Sequence, residues 1–210
     1  MRLPRLYPIL DLRILTERRC PSPVAAEAML EGGAQILQWR SKQALTRAGL
    51  EDLEAIAELC RRYSGQLIVN DRLDYAKMIG AGLHVGQDDL AASDARHLLG
   101  SHPVLGLSTH NADQLARGAR EPVDYLAIGP IFQTSSKASP DPAVGLAQLH
   151  EWRGITPLLL VAIGGITREN APAVLDAGAD SVAVISDLYP ETSTFESIRH
   201  RTREWINLIG

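Results

Sequence analysis

Polar and glycine residues suited to binding phosphates and a metal follow most of the apolar runs of this 210-residue chain. These clusters are Gln38-Trp39-Arg40-Ser41-Lys42, Asn70-Asp71, Gly86-Gln87-Asp88-Asp89, Ser108-Thr109-His110, Gly129 with Thr134 and Lys137, Gly164-Gly165, and Ser186. In a barrel of parallel strands, the C-terminal ends of all strands meet at one mouth. Clusters far apart in the sequence would converge there, so this pattern is the main indication of function.

The first cluster contains two cations that suit a diphosphate. Gln38, Arg40 and Lys42 are spaced i, i+2, i+4, so a continuing strand would place them on one face. A barrel interior packed with apolar layers would not accept two cations, whereas its solvent-facing mouth would. Arginine offers a planar fork and lysine a point charge. The alternative is a solvated strand end. Phosphate binding is favoured because Gln38 lies on the same face as the two cations and because the other clusters follow the same pattern.

Two aspartates form a candidate metal site. Asp71 and Asp89 follow neighbouring predicted strands, so their carboxylates could approach each other across the rim. Two unscreened like charges would repel and raise the pKa of one of them. Mg²⁺ commonly binds one or two carboxylates together with substrate phosphate oxygens and waters. The pair therefore predicts a Mg²⁺ site. Either aspartate alone would be much weaker evidence, since the alternative is a helix-start aspartate.

The later clusters predict a second phosphate site. Gly164-Gly165 and Ser186 occupy the loops after strands seven and eight, where barrels often bind phosphate through backbone N–H groups. Lys137 lies with Thr134 and Ser136 in an irregular loop, Gln133–Val144, that could close over the site. On local sequence alone, a simple turn and an exposed lysine are the alternatives.

Strand-like and helix-like segments alternate along the whole chain. The predicted strands are Leu6–Asp11, Ala34–Arg40, Gln66–Asn70, Leu83–Gly86, Val104–Ser108, Tyr125–Gly129, Leu158–Ile163 and Ser181–Ile185. Amphipathic helices are predicted at Ser22–Glu31, Arg47–Arg62, Asn111–Arg120, Glu169–Ala177 and Thr194–Leu208, with Ser22 as an N-cap. Eight such units in residues 1–210 predict a single-domain (β/α)8 TIM barrel. An open doubly wound sheet would instead have a glycine-rich turn after the first strand, and none follows Asp11.

Composition limits the classes of partner. The net charge of −4 and the pI near 5.9 argue against nucleic acid or an anionic membrane as the main partner. No apolar stretch approaches the ~18 residues of a membrane helix, and no signal peptide is predicted. Cys20 and Cys60 lack metal-ligand spacing, which favours two free thiols in a reducing cytoplasm over one disulfide. The oligomeric state is left open, and a homo-oligomer is compatible with the sequence.

Two histidines lie in or next to predicted strands. His84 is within a strand, where a satisfied core histidine is the simplest interpretation. His110 lies two residues beyond Ser108 at a strand end, so among the histidines it is the one placed for chemistry. Capping of the following helix is its alternative role.

Taken together, the ordered motifs resemble the thiamine phosphate synthase family. The matching pieces are Gln38-x-Arg40-x-Lys42, Asn70-Asp71-Arg72, His84-Val-Gly86-Gln87-Asp88-Asp89, Gly106-Leu-Ser108-Thr-His110, Asp124-Tyr125 through Gly129-Pro130-Ile-Phe, Thr134-x-x-Lys137, and Ala162-Ile-Gly164-Gly165-Ile-Thr-x-Glu-Asn170. Each piece alone is weak evidence. Their common order over nearly the whole chain is specific.

The resemblance implies that hydroxymethylpyrimidine diphosphate couples with hydroxyethylthiazole phosphate, giving thiamine phosphate and pyrophosphate. By analogy, the diphosphate ligands are Arg40, Lys42, Asn70, Lys137 and Mg²⁺ held by Asp71 and Asp89. Gln38 and Ser108 would contact the pyrimidine. The thiazole phosphate would contact Thr134, Ser136, Gly165, Ile185 and Ser186.

The chain departs from the usual family pattern at three places. Leu10 precedes Asp11 where a threonine or serine is more common, and Ser41 stands where an acidic residue is more usual. Ser135-Ser136 replaces a threonine-containing segment before Lys137. These departures affect the expected lining of the pocket but none of the predicted metal or phosphate ligands.

Three other functions are compatible with parts of the pattern. A thiazole tautomerase of the same fold would be similar at His110 but would lack the metal aspartates. A non-catalytic barrel that senses thiamine precursors would lose the residues for the leaving group and keep the thiazole-phosphate loops. A sugar-phosphate isomerase or epimerase would need an acid and a base across the mouth, and no such pair is evident. Asp71, Asp89 and Lys137 together favour the synthase.

Overall fold

A closed barrel of eight parallel strands forms the centre of the protein in a computed structural model that describes residues 3–44, 46–133 and 142–210. The strands follow chain order around the barrel, and β1 pairs with both β2 and β8, which closes the sheet. They are β1 Leu6–Asp11, β2 Ile36–Arg40, β3 Gln66–Asn70, β4 Gly82–Val85, β5 Leu105–Thr109, β6 Tyr125–Ile128, β7 Leu159–Ile163 and β8 Ser181–Val184.

Helices follow the strands on the outside of the barrel, as the alternating pattern predicts for a (β/α)8 fold. They are α1 Leu12–Glu17, α2 Ser22–Glu31, α3 Arg47–Arg62, α4 Leu73–Ile79, α5 Ala92–Leu99, α6 Ala112–Gly118, α7 Gly145–Trp152, α8 Ala171–Asp176 and α9 Phe195–Ile209. Short 3₁₀ helices cover Arg153–Ile155 and Ser186–Leu188. The predicted TIM barrel is confirmed.

The alternation of side chains along each strand separates two apolar regions. The larger region lies between the strands and the helices and contains residues such as Leu10, Leu37 and Trp39. The smaller one fills the barrel and includes Tyr7, Ile9, Ile36, Ile68, Tyr125, Ala127, Val161 and Ala183. Inward-facing residues therefore form the layers that support the mouth.

One glycine makes room for a large side chain inside the barrel. Gly106 on β5 is in register with His84 on β4 and Tyr125 on β6. A Cβ atom at Gly106 would lie 2.1 Å from Tyr125 Cζ, which no packing adjustment of a rigid ring could relieve. The absence of that atom lets the rings of His84 and Tyr125 stack with centroids 5.5 Å apart.

Several predicted boundaries shift because the chain leaves its helices through specific turns. β2 begins at Ile36 rather than Ala34, since the Ala34 N–H still bonds to Met29 O at the end of α2. Ser22 was expected as an N-cap but is the first helical residue, after Pro21. Its hydroxyl donates to Asp52 Oδ2 on α3 at 2.9 Å instead.

Side-chain hydrogen bonds just before α8 and α9 determine where these two helices begin. Thr194 caps α9 in a reciprocal box with Ser197, so the helix begins one residue later than predicted. The Asn170 side chain accepts the Thr167 N–H, and α8 begins at Ala171 rather than Glu169.

Cys20 and Cys60 are buried free thiols. Within the described residues, no helix is long and apolar enough to cross a membrane.

Candidate active site

The predicted site residues that the structure describes surround one cavity of about 980 Å³ at the C-terminal mouth of the barrel. Predicted site residues from the ends of six strands line its walls. These are Gln38, Arg40, Lys42, Asn70, Asp71, Asp89, Ser108, Gly165, Ile185 and Ser186. Thr134, Ser136 and Lys137 lie outside the described residues, so their predicted roles stay predictions.

The cations at the end of β2 are each paired with a carboxylate. Arg40 ends the strand and donates to Asp11 Oδ2 at the end of β1. Lys42 lies just beyond the strand, and its ammonium group is 2.6 Å from Asp71 Oδ2. The side chain of Lys42 is 62% exposed, whereas that of Arg40 is 19% exposed. Both cations line the cavity together with Gln38, as the i, i+2, i+4 spacing of the three residues predicts.

Asp11 performs two tasks at the start of α1. Its Oδ1 accepts the N–H groups of Arg13 and Ile14, which caps the helix. Its Oδ2 accepts the Arg40 guanidinium. Because the carboxylate is itself held by backbone donors, it orients Arg40 firmly toward the mouth.

Asn70 and Asp71 are placed at the end of β3 in unusual local conditions. Asn70 is buried, and its Nδ2 has no hydrogen-bond partner among the described residues. The backbone of Asp71 has φ 63°, a left-handed conformation that residues other than glycine rarely adopt. Such strain persists where the surroundings hold a residue in a functional position. An unpaired buried donor and a strained acidic neighbour therefore mark this strand end as a ligand site.

Asp89 lies on the adjacent rim and is close to Asp71. Its Oδ2 accepts the Gly86 N–H at 2.8 Å, so the carboxylate is held by the turn after β4. Partial burial and contact with the Asp71 carboxyl raise the pKa of Asp89. Neither aspartate caps the helix that follows it, because α4 and α5 are preceded by Arg72 and Ala91. The helix-start alternative is therefore wrong for both residues.

The donor set at this rim fits a divalent cation bound with phosphate. Burial raises the Asp89 pKa, and the neighbouring Asp71 carboxylate raises it further; a cation between the two carboxylates would offset both effects. Mg²⁺ uses few protein carboxylates when substrate oxygens and waters complete its shell. Within residues 3–44, 46–133 and 142–210, no group of three or more His, Cys, Asp or Glu residues could hold a metal alone. The two-carboxylate inventory thus suits a metal that arrives with its substrate.

A chain of buried polar groups crosses the barrel below the cavity. Gln38 Nε2 donates to Tyr7 Oη at 3.1 Å, and Tyr7 Oη is 2.8 Å from Tyr125 Oη. Tyr125 Oη is 2.8 Å from His84 Nδ1, and His84 Nε2 is 2.8 Å from Ser108 Oγ. Burial lowers the pKa of His84 to about 4, so the ring is neutral at pH 7. This chain links the two residues that were predicted to contact a pyrimidine.

The opposite side of the mouth presents mainly backbone. Gly164 and Gly165 follow β7 with φ values of 100° and 65°, and Ser186 follows β8. The Asn170 side chain donates to Gly165 O at 3.0 Å and fixes the loop before α8. Neither the Gly165 nor the Ser186 backbone N–H donates to another residue that the structure describes. These two N–H groups at the cavity wall can donate hydrogen bonds to a phosphate.

Gly165 also has a structural reason to be glycine. A Cβ atom there would lie 2.7 Å from Phe132 Cβ and 2.7 Å from Gln133 O. A branched residue at Gly165 would therefore clash with Phe132 and Gln133 before it could obstruct a ligand. Ser186 is the cleaner position for testing this wall.

His110 and Gln87 complete the rim near Ser108. His110 Nδ1 is 2.6 Å from Gly129 O, and its backbone N–H donates to Gln114 Oε1 at 2.7 Å. Asn111, rather than His110, caps α6. Gln87 Nε2 donates to Ser108 O at 2.6 Å, which ties the β4 loop to the end of β5.

Comparison with known proteins decides the family. A family model described as thiamine monophosphate synthase matches residues 6–188. The chain belongs to the thiamine monophosphate synthase family. The resemblance inferred from the ordered motifs is confirmed.

The relatives of this family are similar over most of their length. A thiamine-phosphate synthase of Koribacter versatilis is 44% identical, with 100% of this chain and 97% of the relative covered. One from Chloroflexus aurantiacus is 41% identical over 87% of this chain and 83% of the relative. The solved thiamine phosphate pyrophosphorylase of Pyrococcus furiosus has a TM-score of 0.80 and 30% identity, covering 98% and 97% of the two chains. These likenesses support thiamine phosphate synthase function, a transferase activity in thiamine biosynthesis.

Two departures from the usual family pattern lie outside the cavity wall. Leu10 is fully buried between the barrel and the helices, whereas its neighbour Ile9 lines the cavity. Ser41 Oγ accepts the Gln43 N–H on the exposed loop after β2. Ser135 is not among the described residues. The departures at Leu10 and Ser41 therefore do not change the ligand-facing residues of this member of the family.

The buried tyrosines were missed as site residues by sequence reasoning. Tyr7 and Tyr125 line the cavity, together with His84, which was interpreted only as a core histidine. Strand parity could have found them. Tyr7 shares the inward face of β1 with Ile9, and Tyr125 shares that of β6 with Ala127.

Proposed function

We propose that the two sides of the cavity bind the two substrates of a thiamine phosphate synthase separately. The observation that carries this proposal is the division of the mouth. Charged side chains cluster at the ends of β2, β3 and β4, whereas the loops after β7 and β8 present glycines and Ser186. The first side suits hydroxymethylpyrimidine diphosphate, and the second suits hydroxyethylthiazole phosphate.

Arg40, Lys42 and Asn70 bind the diphosphate on the charged side. Arg40 is already aimed by Asp11, so its remaining donors are available for phosphate oxygens. Asn70 Nδ2 supplies a buried amide donor that no other described residue uses. Lys42 exchanges its exposed pairing with Asp71 for the incoming phosphate.

Asp71 and Asp89 hold Mg²⁺ in this proposal. When bound, the ion neutralises charge on the diphosphate and on the leaving pyrophosphate. The support is the close carboxylate pair and the raised pKa of Asp89, both of which indicate a site designed for a counter-charge. Lys137 is proposed to add a further cation from outside the described residues.

The reaction breaks the bond between the pyrimidine methylene carbon and the diphosphate oxygen. The electron pair of that bond leaves with pyrophosphate, and the stabilised pyrimidine cation is attacked by the thiazole nitrogen. Arg40, Lys42 and Lys137 stabilise the charge that develops on the leaving group. Gln38 and Ser108 hold the pyrimidine so that its reactive carbon faces the thiazole.

The thiazole phosphate is bound by the opposite wall. Gly165 and Ser186 supply backbone N–H groups, and the Ser186 hydroxyl adds a third donor. Ile185 is half-buried in the same wall and gives an apolar contact for the thiazole ring. Thr134 and Ser136 are proposed to close this subsite. The buried free thiols are consistent with a reducing, cytoplasmic setting.

Incubation with both precursors tests the function. We expect pyrophosphate and thiamine phosphate to appear together with Mg²⁺, to stop with chelator, and to resume when Mg²⁺ is restored. Lys137→Ala should reduce coupling by about 10²-fold, because it removes a cation aimed at developing charge. Isomerisation of the thiazole that depends on His110, without coupling in the unmutated protein, would overturn the assignment.

A further inference from the structure

The buried polar chain below the cavity has a defined direction. A side-chain amide nitrogen can only donate, so Tyr7 Oη accepts the hydrogen bond from Gln38 Nε2. Tyr7 has one hydroxyl proton, and its other partner is Tyr125 Oη. If both hydroxyl groups are to donate, Tyr7 must donate to Tyr125 and Tyr125 must donate to His84 Nδ1.

That direction determines the tautomer of His84. A nitrogen that accepts from Tyr125 carries no proton, so the neutral ring holds its proton on Nε2. His84 Nε2 then donates to Ser108 Oγ, 2.8 Å away. The hydroxyl proton of Ser108 is left for the cavity that this residue lines. At the other end, Gln38 uses its nitrogen internally and keeps its carbonyl oxygen for the cavity.

We propose that Tyr7, Tyr125 and His84 are positioning residues that couple the hydrogen-bonding character of Gln38 to that of Ser108. When Gln38 presents an acceptor to the cavity, Ser108 presents a donor. The opposite pattern requires the Gln38 amide to turn over and the His84 proton to move to Nδ1, with both tyrosine hydroxyls reversing. Gln38, Tyr7, Tyr125 and His84 are buried, and all four would have to reverse together. The hydrogen-bonded chain therefore holds one pattern at both ends.

This inference rests on the proposed function for its ligand. An aminopyrimidine has an exocyclic amino donor next to a ring-nitrogen acceptor, which complements an acceptor at Gln38 and a donor at Ser108. A pyrimidine carrying an oxo group and a ring N–H in the same places has the reverse pattern. With the network in its one direction, the oxo compound would place like hydrogen-bonding groups against Gln38 and Ser108 and leave them unpaired. The hydrogen-bonded network therefore selects for the amino compound.

The tautomer can be measured without any substrate. In uniformly ¹⁵N-labelled protein at pH 7.5, assigned through the backbone, we expect the His84 ring to be neutral with its proton on Nε2. A proton on Nδ1 would overturn the proposed direction of the chain. This measurement remains valid even if the coupling assay fails, so it separates the inference from the proposed function.

Two matched phenol-to-benzene substitutions test the role in positioning. Tyr125→Phe removes the hydroxyl that links Tyr7 to His84. Tyr189→Phe removes another buried hydroxyl, which donates to Ile9 O and takes no part in the chain. We expect Tyr125→Phe to raise the KM for the pyrimidine diphosphate about tenfold and to leave the KM for the thiazole phosphate unchanged.

Tyr189→Phe should leave both KM values unchanged. Equal changes of both KM values in Tyr125→Phe, or no change in either, would overturn the coupling. If Tyr125→Phe does not fold, Tyr7→Phe cuts the same chain one group earlier and carries the same expectation.

Discussion

The two walls of the mouth use different parts of the chain to meet a phosphate. The wall formed by β2, β3 and β4 relies on side chains, with Lys42 paired to Asp71 and Arg40 paired to Asp11. The wall formed by the loops after β7 and β8 relies on glycine backbone and Ser186. The first wall must release the Lys42–Asp71 ion pair when a ligand binds, whereas the second presents backbone N–H groups that no other described residue uses.

Exposure decides which ion pair can be exchanged. Lys42 is 62% exposed, so its pairing with Asp71 is worth at most ~1 kcal/mol and is easily replaced. Asp11 is 4% exposed and also caps α1, so its hold on Arg40 persists. The charged wall therefore combines one fixed cation with one adaptable cation. Variants that remove a charge should damage this wall alone.

The largest expected effect comes from the carboxylate pair. Asp71→Asn or Asp89→Asn should lower kcat by about 10²-fold or more, because each removes a carboxylate proposed to hold the Mg²⁺ that neutralises the leaving group. Steady-state coupling rates with varied Mg²⁺ check this expectation. Asp88→Asn is the control, since Asp88 lines the same cavity but has no assigned role. Retention of full kcat in both Asp71→Asn and Asp89→Asn would remove the metal site from the charged wall.

A second prediction concerns the buried polar chain beneath both walls. Protonation of its His84 should destabilise the whole fold rather than one wall. Burial lowers the pKa of His84 from 6.5 to about 4, so the unfolded chain binds this proton more tightly than the folded one. Stability should therefore fall as the pH decreases from 6.5 toward 4, by about 3 kcal/mol in total. Urea unfolding at several pH values measures this loss.

A His84→Gln variant supplies the comparison for that pH series. It lacks the titrating ring, so its stability should depend less steeply on pH over the same interval. Identical slopes in the two proteins would contradict a neutral, buried His84.

The smallest expected effect is a gain in stability. Partial burial and, after it, the contact with Asp71 raise the pKa of Asp89, so its ionised form destabilises the folded protein at pH 8. Asp89→Asn should raise the thermal midpoint without ligand, by no more than about 3 °C. Asp71→Asn also loses the Lys42 pair and should gain less. A lower midpoint for Asp89→Asn in calorimetry would show that the wall is not strained by its own charges.

The sequence predicts the barrel well because strand and helix periods alternate without interruption. It also brings Arg40, Lys42, Asp71 and Asp89 to one mouth, since each follows a strand. The Asp11–Arg40 pair could not be predicted, because the contact depends on the register between β1 and β2. Gly106 gives a similar lesson, since its function is to admit the ring of Tyr125 from a different strand.

Local capping was less predictable than the site. Ser22 has the residue type of an N-cap, but its hydroxyl finds Asp52 on the neighbouring helix. Gly165 was interpreted as space for a phosphate, and the structure adds that its own loop needs that space. In both cases a long-range contact determines what the residue does.

A pair of KM measurements tests the division of the mouth most directly. Lys42→Ala changes only the charged wall, and Ser186→Ala changes only the opposite wall. We predict that Lys42→Ala raises the KM for the pyrimidine diphosphate by about tenfold, with little effect on the thiazole phosphate. Ser186→Ala should show the reverse pattern, with a KM increase of several-fold for the thiazole phosphate alone. Equal changes of both KM values in either variant would contradict two separate phosphate sites.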